Sequence, residues 1–189
     1  MSPDSDIRAP SLAQEKGDTL LPAIYVVMGV SGCGKSTVGA QLAAALGMPF
    51  LEGDGLHPAR NVARMAAGFA LSDEDREGWL QALADRIRQA RLAGQGLVLS
   101  CSALKRSYRD ILRQGAPDLH FVYLHGDPEL LAARMAERTG HYMPLSLLAS
   151  QLSTLEVPDG GENAQRFDVA SRPEDIVASV VASRQASPG

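Results

Sequence analysis

Gly29-Val30-Ser31-Gly32-Cys33-Gly34-Lys35-Ser36 is the stretch whose reading decides the fold. It fulfils the pattern G-x-x-x-x-G-K-[ST] and sits where that pattern has a mechanism. The apolar run Ile24-Tyr25-Val26-Val27-Met28 precedes it, and a helical pattern follows that stops at Gly47. The residue types follow from the ligand. Glycines at 29, 32 and 34 let the backbone close around phosphate oxygens, and the freed N–H groups at a helix N-terminus favour negative charge. Lys35 brings a mobile cation to the β- and γ-phosphates, and the Ser36 hydroxyl suits Mg²⁺. The candidate nucleotide-binding set is Gly29, Ser31, Gly32, Cys33, Gly34, Lys35, Ser36 and Thr37, with ATP and Mg²⁺ as the expected cofactors. Cys33 fills a free position of the pattern and reads as a tolerated small residue. If exposed, its thiol would be unusually acidic beside Lys35 and a helix N-terminus, and its alkylation would block activity.

Working outward, short apolar runs alternate with helical patterns. Further strands are expected at 49–52, 97–101, 120–124 and 167–169. Helices are expected at 35–46, 73–94, 105–113, 128–138 and 145–155, and a last one carries Ile176, Val177, Val180 and Val181. Trp79, Leu83, Ile87 and Ala90 recur at helical spacing. The alternation predicts a three-layer α/β fold, a parallel five-stranded sheet with helices on both faces. One domain is expected at 23–184, between a disordered tail at 1–22 and a flexible tail at 185–189. Two helices follow the fourth strand instead of one, which predicts a flap there.

Composition narrows the function classes. A length of 189 residues suits a single core. The net charge of −4 offers no general field for nucleic acid or anionic lipid, so phosphate must be held locally. No apolar run approaches the roughly 18–20 residues that span a bilayer. The first 17 residues show no signal-peptide pattern, and there are only two cysteines, Cys33 and Cys101. A cytoplasmic enzyme with free thiols and no nucleic-acid or membrane partner is expected. The four histidines have no metal-ligand spacing, so no structural zinc is expected.

A switch GTPase needs Asn-Lys-x-Asp, which is absent. Asp75-Arg76-Glu77-Gly78 matches D-x-x-G, but no apolar strand precedes it, so the match reads as chance. A small-molecule kinase needs an acceptor base, a metal-orienting carboxylate and cations around the transferred group. Glu52 and Asp54 stand at the end of the second strand, at the sheet edge where ligands bind. Asp54 is placed to take the proton of the attacking hydroxyl, and Glu52 to hold a metal-bound water. His57, Arg60, Asn61 and Arg64 follow, mixing cations with hydrogen-bonding groups that suit an anionic, hydroxylated acceptor. Ser102, Lys105 and Arg106 follow the third strand at the same edge. Arg134 and Arg138, spaced i, i+4, share a helix face just before the expected flap, as a γ-phosphate clamp would. Ser171-Arg172-Pro173 is a candidate adenine-reading loop.

The run Met28 to Ser36 and several later segments together resemble the gluconokinase family of P-loop kinases: Glu52-Gly53-Asp54-Gly55-Leu56-His57-Pro58, then Asn61, Met65, Gly68, Leu71 and Asp73 to Arg76 before Trp79-Leu80, then Cys101-Ser102-Ala103-Leu104-Lys105-Arg106-Ser107-Tyr108-Arg109-Asp110, Gly140-His141-Tyr142-Met143, and Ser150-Gln151 followed by Leu155-Glu156. The resemblance spans about 24–182. It implies an adenylate-kinase-like core with a helical lid at about 134–156. It implies transfer of phosphate from ATP to D-gluconate, with Mg²⁺, and a homodimer; the alternative readings are a related P-loop kinase acting on another hydroxy acid such as shikimate, and an ATP-binding regulator without transfer chemistry. It maps Lys35, Asp54 and Arg138 to catalysis, and Arg134 and Arg138 to the nucleotide. Asp54, His57, Arg64 and Lys105 map to the acceptor, and Ser36 and Glu52 to the metal. Two positions depart from the family pattern. Glu52 stands where Asp is common, and Cys33 where Ser is common.

Overall fold

A run of five residues without a polar side chain that needs water makes β1 (Ile24–Met28), and all five are buried. The computed structural model describes residues 22–137 and 145–186. β1 is the middle strand of a parallel sheet. It pairs with β3 (Leu97–Ser100) on one side and β4 (His120–His125) on the other. β2 (Phe50–Glu52) and β5 (Ala164–Asp168) form the edges, in the order β2-β3-β1-β4-β5. β1 and β3 are neighbours whose outgoing connections leave in opposite directions, to β2 at one edge and to β4 on the other side, so the crevice beyond their carboxyl ends lies at the switch in strand order. Ligands bind at that point in open α/β sheets.

Helices α1 (Lys35–Leu46), α2 (Ala59–Ala66), α3 (Asp73–Leu92), α4 (Arg106–Arg113), α5 (Pro128–Glu137), α6 (Leu145–Thr154) and α7 (Pro173–Ala186) complete the described chain. The three-layer expectation holds. α3 packs the expected stripe, with Trp79, Leu83 and Ile87 at 1% exposure or less. Its start is a capping box: Asp75 N–H donates to Ser72 Oγ at 3.1 Å, and Ser72 N–H to Asp75 Oδ2 at 3.0 Å. Such a cap contributes about 0.5–2 kcal/mol. The D-x-x-G match is thus the opening turn of a helix.

Three features differ from the sequence reading. β5 begins at Ala164 and ends at Asp168, where 167–169 was expected. Its Gln165 and Arg166 are exposed on an edge strand, so no apolar run marks it. A 3-10 turn, Gly53–Leu56, follows β2 directly. Cys33 is buried at 2% exposure, so the reactive-thiol reading fails for want of access. Arg138 and His141 lie outside the described residues, as does most of the expected 1–22 tail. Among the described residues no helix is long and apolar enough to cross a membrane.

A buried ion pair fastens the segment after α6. Arg109 on α4 grips Glu162 through two parallel bonds of 2.7 and 2.8 Å, with side-chain exposures of 1% and 2%. Arg109 Nη1 also donates to the carbonyls of Ala103 and Glu156, both at 3.0 Å. The Arg109 bonds hold the Glu162 carboxyl at a pKa of about 2, well below its usual range, against the opposing effect of burial.

Candidate active site

The phosphate loop is built by contacts that leave no room for side chains. Gly29 has φ 140°, and a Cβ there would stand 2.4 Å from the Leu124 carbonyl oxygen on β4. Gly29 N–H donates to Ser102 O at 3.3 Å, which stitches the loop to the segment after β3. Lys35 Nζ donates to Val30 O at 3.0 Å, across the loop. Ser36 and Thr37 are exposed in the first turn of α1.

Two clefts flank this loop. The larger, about 400 Å³, is lined by Gly32, Gly34, Thr37, Arg134, Val169 and Pro173, among others. Arg134 donates to Val169 O at 2.8 Å, which sets its guanidinium on the cleft wall. Ser171 and Pro173 of the expected adenine-reading loop are in the same wall. The smaller cleft, about 180 Å³, lies between α2, α3, α4 and α6, and its lining includes Met65, Asp73, Arg76, Lys105, Tyr108 and Gln151.

The expected acceptor residues distribute unevenly. Lys105 lines the smaller cleft and pairs with Asp73 at 2.7 Å, and Tyr108 donates its hydroxyl to the same carboxylate. These two bonds hold the Asp73 carboxyl below its usual pKa, first Lys105 and then Tyr108. His57 stacks on Trp79 with ring centroids 4.0 Å apart, and the Trp79 indole N–H donates to Gly53 O at 2.8 Å. Burial pushes the His57 imidazole below its usual pKa; Asp54 opposes this and Arg76 adds to it. Arg64 is half exposed and turned to Asp75 at 3.4 Å. It does not line the smaller cleft.

Arg76 is the cation that sequence reasoning missed. It is 8% exposed, lines the smaller cleft and makes no ion pair among the described residues. Its Nε is buried without a hydrogen-bond partner, as is Asn61 Oδ1 on the facing α2. Its guanidinium carbon stands 5.7 Å from the centroid of the Tyr108 ring. An orphaned buried donor costs about 1–3 kcal/mol, more when charged. In the sequence Arg76 falls in the D-x-x-G coincidence and in the Asp73–Arg76 stretch of the family resemblance, and neither gave it a role.

The charges of Asp54, Lys35 and Arg76 are all felt at Cys101, just past β3. Burial pushes the Cys101 thiol up to about 12. Smaller effects come from Asp54, which raises it, and from Lys35 and Arg76, which lower it. Glu52 accepts a hydrogen bond from Ser100 Oγ, which in turn accepts from Gly53 N–H at 3.2 Å. That relay holds the turn bearing Asp54 against β3. Where Gly53 meets the strand, a Cβ would stand 2.1 Å from Ser100 O. Among the described residues no cluster of three His, Cys, Asp or Glu could hold a metal by itself. Ser36, Glu52 and Asp54 are hard oxygen donors. Such a sparse set fits Mg²⁺, which keeps its waters and is shared with substrate phosphates.

A phosphate loop at the carboxyl end of β1, with one cleft lined by its own residues and a second that holds a buried cation, defines a P-loop kinase. The comparisons agree. Residues 24–158 match the AAA domain family model, and a Gluconobacter oxydans gluconokinase is 47% identical over 88% of this chain and 94% of its own length. Among solved structures, a Sinorhizobium meliloti gluconokinase is 50% identical with TM-score 0.79, covering 88% of this chain and 94% of that one. A sugar kinase from a Janibacter species is 41% identical with TM-score 0.83, covering 88% of this chain and 96% of that one. The chain belongs to the gluconokinase family, and it is a kinase.

Proposed function

We propose that this protein phosphorylates D-gluconate at its terminal hydroxyl, using ATP with Mg²⁺. The observation that carries the acceptor class is Arg76. A buried guanidinium that makes no ion pair among the described residues, in a small cleft beside Lys105, suits an acceptor that brings a carboxylate. The family membership supports gluconate as that acceptor.

The chain's own groups then have distinct roles. The loop amides and Lys35 grip the β- and γ-phosphates, while Thr37 and Arg134 border the cleft for the rest of the nucleotide. Arg138, the i+4 partner of Arg134, is proposed to join the clamp on the transferred phosphoryl group. Asp54 accepts the proton of the attacking hydroxyl. Arg76 and Lys105 hold the acceptor carboxylate, with His57 kept in place by Trp79 to contact its hydroxyls. Ser36 and Glu52, the latter through water, are the residues that would hold Mg²⁺. The ion would neutralise charge on the phosphates. A cytoplasmic homodimer is part of the same reading, and sedimentation velocity tests the dimer.

The test is an ADP-release assay with gluconate, glucose, shikimate and nucleoside monophosphates. Turnover with gluconate well above glucose is expected, because glucose lacks the carboxylate. Turnover with shikimate and none with gluconate would overturn the assignment.

A further inference from the structure

Gln151 on α6 belongs to both halves of the site. It lines the smaller cleft with Arg76 and Lys105. Its Oε1 also accepts a hydrogen bond of 2.7 Å from the Ser31 backbone N–H, across 120 positions of sequence. Ser31 lies inside the phosphate loop. Two other loop amides are bonded to backbone carbonyls, Gly29 N–H to Ser102 O at 3.3 Å and Cys33 N–H to Val30 O at 3.4 Å. The Ser31 amide is instead held by a side chain from a distant helix. Amides in such a loop are the donors that phosphate oxygens use. A carboxamide oxygen offers the same geometry with less charge.

The backbone beneath Gln151 is well anchored. Just past α6, Glu156 N–H donates to Leu104 O at 2.8 Å, and Arg106 N–H donates to Glu156 Oε2 at 2.7 Å. Arg109 binds the Glu156 carbonyl and, through Glu162, the loop beyond. Gln151 sits on a fixed base, and its side chain can turn about its own torsions without dragging α6 away.

We propose that Gln151 is a positioning residue that couples the nucleotide to the acceptor. This rests on the kinase reading above. The carboxamide holds the Ser31 amide until a phosphate oxygen takes that amide. A charge-assisted bond is roughly twice as strong as a neutral one, so the phosphate wins the exchange. The displaced carboxamide turns into the smaller cleft. There it presents both a donor and an acceptor, which suits the hydroxyls of a polyol acid. Nucleotide binding thereby completes the acceptor site, and Gln151 lowers nucleotide affinity by the contact that must first be broken.

The test is calorimetric titration of wild type, Gln151→Ala and Gln151→Glu with a non-hydrolysable ATP analogue and Mg²⁺, without acceptor. Gln151→Met, which keeps the length and removes the competing oxygen, serves as a second variant if the alanine protein is unstable. Removing one neutral hydrogen bond is expected to tighten analogue binding about three- to tenfold in the Ala and Met proteins. Gln151→Glu is expected to weaken it, since a carboxylate competes harder for Ser31 N–H and repels phosphate. In steady state the Ala and Met proteins are expected to show a raised acceptor KM with a smaller change in kcat. A residue that only supported the fold would not give opposite shifts for Met and Glu. Equal or weaker analogue binding by the Met protein, at wild-type Tm, overturns the coupling while leaving the kinase reading intact. No analogue binding by wild type overturns both.

Discussion

Arg76 and Arg64 differ by twelve positions and by everything that decides function. Arg64 has water on one side and Asp75 on the other, whereas Arg76 is buried with an orphaned Nε facing a cleft. A charge-assisted contact contributes about 1.5–3 kcal/mol, so Arg76→Met is expected to raise the acceptor KM about 10- to 150-fold. Arg64→Ala is expected to raise it far less. The same Arg76→Met change should leave Tm unchanged or higher, because it removes a buried charge that makes no ion pair among the described residues. A fall in Tm with an unaltered KM would make Arg76 structural. Asp54→Asn is expected to lower kcat by at least a hundredfold while an ATP analogue binds normally, which separates a kinase from a mere nucleotide binder. At this scale the sequence was legible where chemistry and spacing coincide, as at Lys35 and Asp54. It was not legible at Arg76, because charge on an amphipathic helix reads as solvated face until packing is known.

The elements show the same division. β1 and the phosphate loop were legible because the signal is local: an apolar strand, glycines, then a helix. α4 reads as a polar helix, yet Tyr108, Arg109 and Leu112 are buried in it. The reason is Glu162, 53 positions away, whose carboxylate neutralises Arg109 in the interior. The start of β5 escaped for a related reason, since its exposed Gln165 and Arg166 interrupt any apolar run before Phe167. Glu162→Gln leaves the Arg109 charge buried without its partner, and a loss of about 3–5 kcal/mol in unfolding free energy is expected from denaturant titration. The acid dependence has a definite sign. The Glu162 pKa is depressed from 4.5 to about 2, so its contribution is complete above pH 4.5 and is lost as pH falls toward 2. The Gln protein should therefore show a flatter stability profile across that window. A profile parallel to wild type would remove Glu162 from the acid response.

At the scale of the whole molecule, the strand order puts one phosphate loop between two clefts. Composition and pattern foretold the layers and the edge at which ligands bind. They did not foretell which helices wall the acceptor cleft, since α2, α3, α4 and α6 meet there only through tertiary packing. The architecture makes a direct claim: a nucleotide on one side of the loop gives its terminal phosphoryl group to a hydroxy acid on the other. The most direct measurement is phosphorus NMR of a reaction of the purified protein with ATP, Mg²⁺ and D-gluconate. The expected result is loss of the γ-phosphate signal matched by a phosphomonoester signal that couples to the protons on gluconate carbon 6. Release of inorganic phosphate alone, or no change in ATP, would contradict it.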